Sequence, residues 1–109
     1  MGSISHSVRQ VAQGVERIDF AGSIDLEVAE PFKQALFERL ETTDVLLVGM
    51  QGVVFMDSSG LAALQAALLR ARSRGKALHL ISPSRLVEKL LHLVGWGPVY
   101  RSEEEFLAA

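Results

Sequence analysis

Val53-Val54-Phe55-Met56-Asp57-Ser58-Ser59-Gly60-Leu61 decides the reading of this chain. A short apolar run stops at a cluster of small polar residues, and a helical pattern then runs from Leu61 to Arg74. Asp or Ser ahead of a helix accepts from first-turn N–H groups that have no other partner, and stabilises by about 1 kcal/mol. Capping accounts for one such residue, or two, but not for the tetrad Asp57-Ser58-Ser59-Gly60. The other reading is a phosphorylation switch. A phosphoryl group on a serine there carries about −1.5 to −2 charges. The positive end of the helix dipole tolerates that charge. The Asp57 carboxylate would repel it, and an acidic or apolar partner surface would be expelled. Such a site changes binding without unfolding the domain.

Working outward, Val45–Val48 reads as a strand buried on both faces. Gly49–Gly52 reads as a loop and Val53–Met56 as a short apolar connector. Upstream, Ser7–Val11 and the alternating Val15–Phe20 suggest strands joined at Gln13-Gly14 in a hairpin. Gly22-Ser23-Ile24-Asp25 is expected as a loop, with Asp25 capping a helix over Leu26–Leu40. Val28, Phe32, Ala35, Leu36 and Leu40 form its apolar stripe, and Pro31 places the start of regular helix near itself.

Downstream, Leu61, Leu64 and Leu68 are the expected core stripe of the helix after the tetrad. Ala62, Ala63, Ala66, Ala67 and Leu69 leave its other faces apolar, so it is either deeply buried or docks a partner. Gly75 is expected to close it, with Ala77–Ile81 as another buried strand. Ser82-Pro83-Ser84 opens a helix over Ser84–Val94, with Leu86, Val87, Leu90, Leu91 and Val94 on one stripe. Gly95-Trp96-Gly97-Pro98 reads as a turn and Val99-Tyr100 as a short strand. Ser102 ahead of Glu103-Glu104-Glu105 marks a short last helix. The order ββαβαβα(β)α implies an α/β domain with parallel pairs, made mixed by the hairpin. It is expected to span 7–107, with 1–6 a flexible N-terminus.

Composition narrows the chemistry. The 109 residues are 49% hydrophobic and 22% charged, enough apolar matter for one core. A net charge of −2 argues against a nucleic-acid binder. The absence of cysteine removes thiol catalysis, disulfides and cysteine metal sites, and fits a reducing cytoplasm. No apolar run approaches the roughly 20 residues of a membrane span, and Met1–His6 does not resemble a secretion signal. Gly49-Met50-Gln51-Gly52 has neither the lysine nor the spacing of a phosphate loop, and Ser59-Gly60 is not a nucleophile elbow. His6, His79 and His92 stand apart, so no local metal pair is expected, and His79 reads as structural or solvent-facing. Arg70, Arg72, Arg74 and Lys76 complement the C-terminal dipole of their helix. Without a base-paired nucleophile, an enzyme is not expected.

Phe55-Met56-Asp57-Ser58-Ser59-Gly60-Leu61 resembles the signature of STAS domains of the bacterial anti-sigma factor antagonist type. Gly22-Ser23-Ile24-Asp25 is similar to that family's other marked loop, and the element order agrees. The resemblance implies Ser58 as phosphate acceptor, and Asp25, Asp57, Ser58, Ser59, Gly60 and Leu61 as the partner-binding region. It implies an anti-sigma factor that is also a serine kinase of the histidine-kinase-like ATPase fold, and a metal-dependent phosphatase that reverses the modification. It implies no bound cofactor, no metal, no catalytic residue, and no nucleic-acid or membrane partner. The alternative within the family is a phospho-independent subunit of a stress-signalling complex or a lipid transporter. One position departs from the pattern: Gly49 stands where relatives often carry an acidic or amide residue.

Overall fold

The structure is a computed structural model that describes residues 2–96 and 99–109. The elements run in the order β1 (Ser3–Ala12), β2 (Val15–Ile24), α1 (Leu26–Thr42), β3 (Val45–Met56), α2 (Ser58–Ser73), β4 (Ala77–Ile81), α3 (Arg85–Leu93) and α4 (Glu103–Ala108). The strands form one sheet in the order β1-β2-β3-β4. β1 and β2 are antiparallel, while β2–β3 and β3–β4 are parallel, so the sheet is mixed as expected.

Period-2 alternation divides the sheet into two faces. Ile18, Phe20, Leu46, Val48, Leu78 and Leu80 point to the main core, where they meet Phe32, Leu36 and Leu40 of α1 and Val87 and Leu91 of α3. Phe20 and Phe32 pack edge to face, with ring centroids 4.7 Å apart. The opposite face carries Arg17, Leu47 and His79 in register across β2, β3 and β4. α4 lies over it. Phe106 sits 5.5 Å from the His79 ring, and Glu103 pairs with Arg17 and Arg9.

Several boundaries differ from the expectation. β1 begins at Ser3, so residues 3–6 are strand rather than flexible lead-in; their register partners are Ser23 to Phe20 of β2. β2 continues to Ile24, which makes Gly22–Ile24 strand and leaves only Asp25 as the turn into α1. β3 is one strand of 12 residues, not a strand, a loop and a connector. Its β2 partner persists to Ile24↔Met56, and two register shifts take up the surplus residues of β3. Pro31 lies inside α1 instead of at its start. The carbonyl it leaves without a donor is that of Glu27, an exposed residue that water reaches.

α2 also differs. It starts at Ser58, and the expected stripe lies on its inner face, with Leu64 buried and Leu61 and Leu68 partly buried against the core; Gly60, Ala63, Ala67 and Ala71 are buried beside it. α1 and α2 pack side by side, and alanines at that seam let the backbones approach. The end of α2 is as expected. Gly75 adopts φ +67, its N–H reaches Arg72 O, and Lys76 N–H reaches Ala71 O. α3 repeats the device with Gly95 at φ +71 and Trp96 N–H donating to Leu91 O. Gly97 and Pro98 of the expected turn lie outside the described residues. Tyr100 makes an isolated parallel bridge to Ile81 rather than a strand.

Candidate functional site

Ile24 and Met56 are register partners at the ends of neighbouring parallel strands. Each is followed by an aspartate that caps a helix. Asp57 N–H donates to Ile24 O at 3.2 Å, which ties the two loops together. Asp25 accepts from Glu27 N–H at 3.0 Å through Oδ1, and starts α1. Asp57 accepts from Ser59 N–H at 2.9 Å and Gly60 N–H at 3.4 Å, and starts α2. Parallel register and paired caps thus bring residues far apart in sequence to one edge of the sheet.

The two serines of the tetrad are not equivalent. Ser59 is half-buried, and its hydroxyl donates to Asp57 Oδ1. Ser58, the first residue of α2, is exposed, and its hydroxyl has no partner among the described residues. Gly60 is buried because α2 lies close to the sheet here. A Cβ on it would sit 2.5 Å from Met56 Cγ and 2.9 Å from Ile24 Cγ2. Leu61 is half-buried against the core.

The Ser59 hydroxyl, with the Ser59 and Gly60 N–H groups, holds the Asp57 carboxyl below the usual carboxylate range. A carboxylate so depressed is a poor general base. The site offers an exposed hydroxyl on a helix N-terminus and no group poised to activate it. Among the described residues no cluster of three or more His, Cys, Asp or Glu side chains converges as metal ligands would. His79 is half-buried against Tyr100 and Phe106, away from this edge.

Gly49 is also far from the tetrad. It lies beneath the Arg17–Asp19 ion pair, and a side chain there would collide with the Asp19 carboxylate. The departure at Gly49 therefore makes room for a salt bridge on the α4 side and leaves the capped edge untouched.

Three apolar residues in or beside these loops were not singled out from the sequence. Leu26, Val54 and Phe55 are 79%, 73% and 47% exposed. Leu26 falls off the stripe that Val28 begins, which is a legible signal. Val54 is the unpaired residue of the second register shift in β3, between Val53 and Phe55, and only strand pairing discloses it.

A four-stranded mixed sheet whose parallel strands end in twin capped loops, one with an exposed serine, defines a compact α/β domain. Residues 8–100 match the family described as Mlab, STAS domain, and the chain belongs to the STAS-domain family. It is 34% identical over 67 residues to the anti-sigma-F factor antagonist RsfA of Mycobacterium tuberculosis, an overlap of 59% of this chain and 52% of RsfA. The chain thus spans about half the length of that curated relative. An anti-sigma factor antagonist from Mycobacterium paratuberculosis superposes with a TM-score of 0.85 at 23% identity, over 97% of this chain and 92% of that one. SpoIIAA of Bacillus, solved in the phosphorylated form, superposes with a TM-score of 0.74 at 19% identity, over 95% and 97%. These likenesses establish the STAS fold.

Proposed function

We propose that the chain is an anti-sigma factor antagonist, a binding switch rather than an enzyme, controlled by phosphorylation of Ser58. The observation that carries this reading is the contrast between the serines: Ser58 is exposed and its hydroxyl has no partner among the described residues, whereas Ser59 is held by Asp57. RsfA, named an anti-sigma-F factor antagonist, supports it, as does the solved phosphorylated form of SpoIIAA. The partner is an anti-sigma factor that is also a serine kinase of the histidine-kinase-like ATPase fold, and a metal-dependent phosphatase resets the switch in the cytoplasm.

The chemistry follows from the site. Ser58 Oγ attacks the γ-phosphorus of ATP held by the kinase. The new O–P bond forms as the bond to ADP breaks. With the Asp57 carboxyl held below the usual carboxylate range, and so weakly basic, the hydroxyl proton passes to a base of the kinase. The modified residue sits where negative charge suits the helix dipole, so the fold persists. At the partner surface the same charge must be desolvated beside Asp57, which weakens binding. The docking surface combines Asp25, Asp57, Ser58, Ser59, Gly60 and Leu61 with the exposed Leu26, Val54 and Phe55.

Incubation with the anti-sigma kinase and ATP tests the acceptor. Label is expected in the parent and in Ser59→Ala, and not in Ser58→Ala. Ser58→Asp is expected to keep the parental circular dichroism spectrum and bind the kinase at least about tenfold more weakly. Equal affinities would leave the phospho-independent subunit as the function.

A further inference from the structure

The stretch between Asp57 and Glu88 contains no carboxylate, yet it carries Arg70, Arg72, Arg74, Lys76 and Arg85. In a chain of net charge −2 this segregates positive charge to the C-terminal half of α2 and the segment from there to the start of α3. The dipole of α2 explains a cation there, but the structure divides the cluster further. Arg70 stacks on the Phe37 ring, 4.5 Å from its centroid, and Lys76 Nζ donates to Leu40 O. Arg72 makes neither kind of contact, and among the described residues no carboxylate pairs with it.

Arg72 instead borders a depression of about 350 Å³ with Gln65, Leu68, Leu69, Val94 and Trp96. The apolar rim is open: Leu69 is 63% exposed and Val94 is 47% exposed. Trp96 is partly buried against the core, and its backbone N–H donates to Leu91 O at the end of α3. Gln65, Leu69 and Arg72 recur at i, i+4 and i+7, the spacing of one helix face.

We propose that this groove is a second docking surface, which takes an acidic protein segment with an apolar anchor. The anchor enters between Leu69, Val94 and Trp96, and a carboxylate pairs with Arg72. Charge complementarity selects the occupant, and a concave site with an aromatic wall suits a side chain rather than a lipid surface. The groove is also insulated from the serine. Ser58 and Arg72 lie at opposite ends of α2, about 21 Å apart along its axis, more than two Debye lengths of about 8 Å. The chain can therefore hold one partner at the groove whatever the charge at Ser58.

Trp96 is the sole tryptophan, so its emission reports the groove directly. The probes are a tryptophan-free peptide with a phenylalanine–leucine anchor flanked by glutamates, its lysine-flanked counterpart, and vesicles of phosphatidylglycerol with phosphatidylcholine. The acidic peptide is expected to shift Trp96 emission saturably. The parent and Ser58→Asp are expected to bind it equally. Leu69→Glu and Arg72→Glu, both at exposed positions, are expected to weaken it at least about tenfold while keeping the parental circular dichroism spectrum. No saturable shift, equal binding of the lysine-flanked peptide, or a shift with vesicles alone would overturn the proposal; the last result would make the surface a membrane contact.

Discussion

Ser58 and Ser59 are adjacent and chemically identical, yet the backbone turn into α2 sends one hydroxyl to solvent and the other to Asp57. The sequence names the tetrad as a site, but which serine is free is settled by helix geometry at its first residues. At Asp25 the capping bond is seen, and the proposed binding role can be tested apart from it. Asp25→Ala is expected to cost about 1 kcal/mol through the lost cap. Asp25→Asn keeps a capping oxygen, so its melting temperature is expected to stay near the parental value while kinase binding falls. Unaltered affinity, read by titration calorimetry, would confine Asp25 to capping. Close packing sets the size allowed at Gly60. Gly60→Ala drives a methyl into Met56 and Ile24, and is expected to lower unfolding free energy in urea by about 1–3 kcal/mol.

At the scale of elements, α2 is where leucine periodicity finds the core-facing side but not its full width. Its apolar residues cover so much of the circumference that leucine spacing alone does not mark out the whole buried face. The alanines do so once α1 is in place: Ala67 and Ala71 are fully buried, while Leu69 is mostly exposed. Ala67→Leu is therefore expected to overpack the α1–α2 seam, costing about 1–3 kcal/mol. Leu69→Ala is expected to change stability by no more than about 0.5 kcal/mol. Urea midpoints with unchanged slopes would check both. β3 makes the same point for strands. Gly49 and Gly52 look like loop residues, but β2 runs alongside and recruits them into the ladder.

Across the whole molecule, α4 closes the second face of the sheet from the far end of the chain. Arg9 and Arg17 hold Glu103 below the usual carboxylate range, while His79, Tyr100 and Phe106 pack as a trio. Burial lowers the His79 pKa from 6.5, because the charged imidazole is less well solvated there than in the unfolded chain. The unfolded chain then takes up a proton first as pH falls. The contribution of His79 is full above about pH 6.5 and is lost as pH drops below it. The parental melting temperature is expected to decline from about pH 7 to about pH 5.5, and His79→Gln to show a flatter profile over that window. Parallel profiles would remove His79 as the cause. Glu103 and Asp57, with lowered carboxyl values, add acid sensitivity only at lower pH.

Local signals carried much of this protein in the sequence alone. The stripe of α1, the glycine that ends α2, the Ser102 cap of α4 and the tetrad at α2 all depend on residues within a turn or two of each other, and the structure places each as read. Features that depended on partners distant in sequence were decided by tertiary structure. The lengths of β1, β2 and β3 follow from one another through pairing, not from their own composition. The width of the buried face of α2 follows from α1, and the room at Gly49 from an ion pair supplied by β2. The approach of Asp25 to the Ser58 loop requires two parallel strands to end in register. The physical reason is range: capping and helical periodicity act over a few residues, whereas register, close packing and charge pairing act between segments that only the fold brings together.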